Sequence, residues 1–403
     1  MTNSGPDLTD VELFVRNEHH RTFAEMRRSS PIYWNEGADG NNFWALTTYD
    51  DVVWAYRNHE LFSSARGAIV GGSFRSRDDT AAGSMLVAAD LPRHRLLKQQ
   101  ILPAFSAAAL HRVSVQVSLL IDRAVDKLLA EGGGDFATEV AAELPAGALM
   151  AVFGIGYDDA HALISLTRRM MGYRDEQFVD TGTDGSLRLA WLQAEIFDFF
   201  ANVAAARRRN PGDDLVSLLL GGKVNNRPLS EEEVFYNCLN VAVGGNETSS
   251  YTVCSGLVAL IENPDQFDRL AANADLLDSA LNEILRWSST NSYVQRVATR
   301  DVIRNGVVIG SGDSVTLWNV SANRDENQFP DAELFDVGRN PNRHVTYGVG
   351  IHRCMGAPVA QIEMSHLFRR LLAAGVRLEL AGPLRRLRSN FILGITRLPI
   401  KIV

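Results

Sequence analysis

The chain has 403 residues, 46% hydrophobic and 22% charged, which allows one large domain or two or three ordinary ones and a sizeable core. A formal net charge of −8 without a basic stripe argues against a nucleic-acid partner. The start, Met1 to Asp10, has neither a cationic segment nor an apolar core, and no apolar run reaches membrane-spanning length, so a cytoplasmic protein without membrane attachment is expected. Cys238, Cys254 and Cys354 are far apart and odd in number, which speaks against a disulfide framework or a zinc site.

In chain order, Ile32–Trp34 and Phe43–Leu46 flank a turn-forming segment and predict a half-buried hairpin, and Tyr49–Tyr56 reads as a short helix. Residues 67–84 form a glycine-, serine- and charge-rich loop. From Pro92 to Arg209 the pattern is mostly helical, broken at Gly132-Gly-Gly134, at Gly154-Ile-Gly156 and in the polar stretch 172–186. A capping box, Ser230 to Glu233, then opens a run without a breaker as far as Asn263-Pro264. Val302 to Ile309, with Asn305-Gly306 at its centre, predicts a second hairpin, because that dipeptide supplies the positive φ values of a tight turn. Ala357–Leu372 repeats apolar residues at helical spacing, with Pro358 in its first turn and Gly375 beyond its end. No repeat or linker divides the chain. The expected fold is mainly α with small β-sheets in a single domain over 1–403, helix-rich over about 90–290 and 357–374 and β-rich over about 30–50, 293–320 and 376–403.

Two motifs carry chemistry. The long run starting at Ser230 has no formal charge between Glu233 and Glu247, so it reads as a buried central helix, yet its middle holds Gly244-Gly-Asn-Glu-Thr248. Helical periodicity puts Gly245, Gly244, Val241, Asn240 and Asn237 on the face of Thr248, a gap with a polar rim; close helix packing through the glycines is the alternative. The second motif is Tyr347-Gly-Val-Gly-Ile-His-Arg-Cys-Met-Gly356, a turn that presents Cys354 at the N-terminus of the helix beginning at Ala357. A lone cysteine is more often a small buried hydrophobe. Here the helix N-terminus favours a thiolate, the metal-binding form, and Gly348, Gly350 and Gly356 let a large flat ligand approach the backbone.

The second motif resembles the haem-binding signature of the cytochrome P450 family, an aromatic followed by Gly-x-Gly-x-His-x-Cys-x-Gly, matched by Tyr347, Gly348, Gly350, His352, Cys354 and Gly356. Tyr347 stands where the family most often has Phe, which adds a hydroxyl in need of a partner. The resemblance covers about 90–363. It implies the cytochrome P450 fold, with the long central helix over a haem b (iron protoporphyrin IX) whose metal ligand is Cys354. Gly244, Gly245, Glu247 and Thr248 match the family's oxygen-activation motif. Thr248 would hold a hydrogen bond on the oxygen side, and Glu247 would connect the pocket to bulk protons. His94, Lys98, Arg296 and His352 are the implied partners of the haem carboxylates, with Lys98 replacing the usual Arg. Glu283, Arg286 and Arg339 match the family's structural charge network.

By position relative to these motifs, the loop from Phe74 to Val87 with Met85 and Leu86, the helix face at Asn237, Asn240 and Val241, the segment Asn291 to Val294 with Tyr293 and Val294, and Phe391 to Leu393 with Ile392 should line the substrate pocket. The loops 67–84 and 172–186 are expected lids. The implied activity is insertion of one oxygen atom from O2 into a bulky, mostly apolar small molecule, such as a polyketide or another secondary metabolite. The chain contains no flavin or iron–sulfur motif, so electrons are expected from a ferredoxin and its reductase, with Arg93, Arg95, Lys98, Arg343 and Arg353 as the docking patch of a monomer. A peroxide-driven peroxygenase and a non-catalytic haem-binding sensor are the competing readings.

Overall fold

The computed structural model describes residues 5–37, 40–72, 80–182 and 184–403. Phe74 and residues 73–79 of the expected lid lie outside the described residues. Fifteen α-helices occur among them, and the longest, Glu231–Glu262, runs 32 residues through the centre. Its N-terminus carries the predicted capping box, with Ser230 Oγ accepting from the Glu233 N–H and the Glu233 carboxylate accepting from the Ser230 N–H. Its helical pattern continues through Gly244 and Gly245. A Cβ on either glycine would meet nothing within 4 Å, so they open space rather than admit a neighbour. The packing role falls to Gly256 on the same helix, where a Cβ would lie 2.6 Å from Ile284.

The predicted first hairpin forms, with Trp34 opposite Trp44. It is one edge of a five-stranded sheet that sequence periodicity could not assemble. Phe43–Leu46 pairs in parallel with Ser314–Trp318, which pairs antiparallel with Tyr293–Ala298, and Phe62–Ser63 closes the other side. The Asn-Gly hairpin forms with φ of 50° at Asn305 and 80° at Gly306. Gly133–Asp135, expected as a mere helix break, becomes an edge strand against Pro399–Ile402. A side chain on Gly133 would collide with the Ile400 carbonyl.

One further expectation needs correction. The stretch Phe136–Phe153 is long and apolar enough to span a membrane by composition, and 78% of it is buried inside the protein. Its helix, Glu143–Phe153, packs between Ala107–Glu131 and the central helix, which explains why it is apolar on every side. The start of the expected 172–186 lid is tied down by Asp175, which is fully buried and accepts from the Arg385 guanidinium at 3.0 Å and the Arg388 N–H at 3.1 Å.

Candidate active site

Cys354 follows a short 3₁₀ turn, Gly350–His352, and three residues after it the helix Ala357–Ala374 starts. Gly348 and Gly350 adopt φ of 66° and 78°, a left-handed backbone open to few other residues, and a Cβ on Gly350 would press on the Tyr56 carbonyl at 3.0 Å. The loop is held from behind. Glu283 and Arg286 are fully buried and paired through two hydrogen bonds of 2.7 and 2.8 Å, and Arg339 adds a third contact to Glu283 at 3.2 Å. Arg286 and Arg339 spend their remaining donors on the carbonyls of Asn323, Pro330, Asp331, Ala332 and Leu334. Asn323 continues the chain of contacts, accepting from the Val345 N–H at 2.8 Å and donating to Thr346, which donates to the Leu285 carbonyl. The predicted charge network thus reaches the residue preceding Tyr347.

The Cys354 Sγ opens into a cavity of about 400 Å³. Gly244, Gly245 and Thr248 of the central helix form another part of its wall, together with Asn240 and Val241. Met85, Leu86, Val294 and Ile392 complete it from the segments expected. Two of the singled-out lining residues do not reach it. Tyr293 is fully buried against Trp318 and Phe391, because on the strand Tyr293–Ala298 alternate side chains point to opposite faces and Val294 takes the cavity side. Asn237 turns to the backbone of Ser84 and Leu86. Glu247, expected as the link to bulk protons rather than as a lining residue, lies about 100° around the helix from Thr248 and faces away from the cavity.

The arrangement of cationic groups supplies a test for a haem. His94, Lys98, Arg296 and His352 all line this cavity, with the two imidazole rings 4.2 Å apart. Burial, then Lys98, pushes His94 down to about 4; burial, then Arg296, His94 and Lys98, pushes His352 down to about 2. His352 Nε2 is buried without a partner among the described residues. Lys98 and Arg296 beside two buried imidazoles whose protonation they disfavour leave a site short of negative charge, and a flat apolar ligand carrying carboxylates meets that need. The positive groups, the cavity-facing sulfur and the open space at Gly244 and Gly245 fit a haem.

The sulfur itself behaves differently from the helix-end expectation. Burial pushes the Cys354 thiol up, and the N–H groups of Gly356 and Ala357 with Arg353 and Lys98 oppose that without overcoming it. A bound metal ion would supply the remaining pull, since a coordinating thiol gives up its proton. Tyr347 lines the same cavity, and its hydroxyl is buried with no partner among the described residues, so the departure from Phe leaves an unmet donor there.

Thr248 Oγ1 donates to the Gly244 carbonyl at 2.8 Å. Glu247 is buried, accepts from Asn246 Nδ2 at 2.8 Å and lies 3.8 Å from Arg168, whose side chain is 16% exposed. Burial raises its pKa, with Arg168 and Tyr251 opposing. Any proton link between Glu247 and the cavity therefore passes around the helix rather than straight across it. Residues missed from sequence include Tyr56, which lies under the Arg296 guanidinium, and Leu149, Val152, Met170 and Met171 of the neighbouring helices. The signal was available only for the last pair, two methionines just before a polar break.

The cytochrome P450 family model matches residues 190–374. The chain is 31% identical to linalool 8-monooxygenase of Pseudomonas putida over 405 residues, 99% of each chain. It is 31% identical to cytochrome P450 NovI of Streptomyces niveus over 401 residues, 98% of this chain and 96% of the relative. A solved Mycobacterium marinum cytochrome P450 in complex with pseudoionone matches with a TM-score of 0.89 and 28% identity over 98% of each chain. Sequence and fold agree over nearly the whole length, and the chain belongs to the cytochrome P450 family of monooxygenases.

Proposed function

We propose that this monooxygenase binds haem b through Cys354 and inserts one oxygen atom from O2 into a bulky, mostly apolar small molecule, as a cytoplasmic monomer of a single domain fed with electrons by a ferredoxin and its reductase. The observation that carries this reading is the cavity-facing Cys354 sulfur set across from the gap at Gly244, Gly245 and Thr248. When bound, the haem supplies the iron at which O2 is reduced, with the thiolate donating electron density. The chain's residues do the rest. His94, Lys98, Arg296 and His352 hold the haem carboxylates. The Thr248 hydroxyl orients a proton donor in the cavity, and Glu247 replenishes it from the Arg168 side. Glu283, Arg286 and Arg339 keep the Cys354 loop in place.

Val241, Val294, Met85, Leu86 and Ile392 exclude water and hold an apolar body, while Asn240 offers a hydrogen bond to a polar group on it. A relative named for linalool and another solved with pseudoionone support small apolar molecules as first probes, and polyketides or other secondary metabolites are the second class. Arg95, Arg343 and Arg353 are exposed and take part in none of the ion pairs among the described residues, which supports them as the electron-partner patch. Arg93 is instead paired with Glu233, and Lys98 donates to the Ile351 carbonyl at 3.1 Å.

The test is a carbon monoxide difference spectrum of the reduced protein followed by NADH consumption with ferredoxin and reductase. Thiolate-type absorption and oxygenated product from linalool, pseudoionone or a polyketide panel support the proposal. Product with hydrogen peroxide alone assigns the peroxygenase, and absorption without turnover under either condition assigns the sensor.

A further inference from the structure

The first two turns of the central helix carry three side chains that leave the cavity and reach one neighbouring segment, residues 80–93. Asn237 is fully buried and has every hydrogen-bonding group of its amide in use. Its Oδ1 accepts from the Leu86 N–H at 2.9 Å, and its Nδ2 donates to the Ser84 carbonyl at 2.8 Å and to its own helix at the Glu233 carbonyl at 2.7 Å. Four residues earlier, Glu233 pairs with Arg93, whose Nε donates to the Gly83 carbonyl at 3.1 Å. Tyr236 shares a hydrogen bond with Thr80. Between these ties, Met85, Leu86 and Val87 turn their side chains into the cavity.

We infer that Asn237 is a positioning residue: its amide latches the 84–86 backbone to the central helix and so sets where Met85 and Leu86 meet the substrate and how often that wall opens. The geometry favours a latch over a plain structural tie. Both loop partners are backbone groups flanking cavity-lining side chains, so losing Asn237 frees the wall while leaving the helix's own ladder intact. The bonds are neutral, and neutral hydrogen bonds are weak enough to break and remake during ligand passage. The charged pair at Glu233 and the Tyr236 hydroxyl keep the flanks in place while the middle moves. This inference rests on the cavity being the substrate site.

The test uses the haem-loaded protein and compares Asn237→Leu, close in volume, with Cys238→Ala. Cys238 is the next residue, also fully buried in the main core, and among the described residues its side chain makes no hydrogen bond to the segment. Amide exchange at Leu86 is the direct readout, and stopped-flow binding of 4-phenylimidazole is the functional one. In Asn237→Leu, exchange at Leu86 speeds up about tenfold or more, as expected for two lost neutral hydrogen bonds. The on-rate and off-rate of the imidazole rise together, so its affinity changes less than either rate. Cys238→Ala lowers the melting temperature without either change. Unaltered exchange at Leu86 in Asn237→Leu, or the same acceleration in Cys238→Ala, overturns the inference. Should Asn237→Leu not accumulate folded, Asn237→Ser, whose hydroxyl reaches one partner at most, is read the same way. A protein without thiolate-type carbon monoxide absorption refutes the proposed function instead, and the Leu86 exchange comparison can still be made.

Discussion

On the Cys354 side of the cavity, the loop hangs from a fully buried carboxylate shared by two arginines, whose other donors hold five backbone carbonyls. On the facing side, the wall is made of small and apolar residues, and the segment around Leu86 is held by neutral amide hydrogen bonds. Charged bidentate contacts are expensive to break, so they suit a ligand atom whose position must not vary. Neutral contacts and glycine gaps tolerate shape changes, so they suit a wall that admits different molecules. The difference places rigidity where the cofactor is to be gripped and compliance where the substrate is to be received.

The harshest way to break this comparison is Cys354→Ala. It should abolish the thiolate-type carbon monoxide band while circular dichroism stays close to the parent, because the sulfur makes few contacts with the core. Next comes Glu283→Ala, which leaves Arg286 charged, buried and unpaired. A loss of about 3–5 kcal/mol is expected from stranding one member of a buried pair, measured by urea unfolding or seen as failure to accumulate haem protein. Thr248→Ala keeps fold and haem content but should lower product formed per NADH, with turnover down by about 10² if the hydroxyl organises proton delivery.

A pH experiment sharpens the contrast from a third direction. Glu363, on the helix following Cys354, is fully buried, and burial pushes it up to about 8 against a hydrogen bond from Ser249 of the central helix. The folded protein therefore holds a proton that the unfolded chain releases near the ordinary value of 4.5. Stability falls as pH rises from that value to about 8 and levels off above it. Glu363→Gln should flatten that decline, read as melting temperatures at pH 5 and pH 8; parallel declines would refute it. The smallest effect is expected of Asn240→Leu, which should alter the spectral change on substrate binding by less than about tenfold in affinity, with haem content intact.

The Cys354 motif, the capping box at Ser230 and the Asn305-Gly306 turn were legible because each depends on neighbours within a few residues. The errors arose where direction matters more than spacing. Asn237 and Asn240 share a helix face, yet the first meets a loop and the second the cavity. Tyr293 and Val294 are adjacent on a strand, and a one-residue offset exchanges core for pocket. The five-stranded sheet was invisible because Trp44 and Val315 belong to segments that nothing local links.

That sheet has a consequence for how the molecule is made. Arg296 sits on a strand whose partner, Ser314–Trp318, is itself bordered by residues synthesised some 270 positions earlier. The early hairpin must wait on the ribosome with one edge unsatisfied until most of the chain has emerged, an interval in which it can pair with the wrong neighbour. Slower growth at lower temperature should accordingly yield more pigmented protein than richer, faster culture.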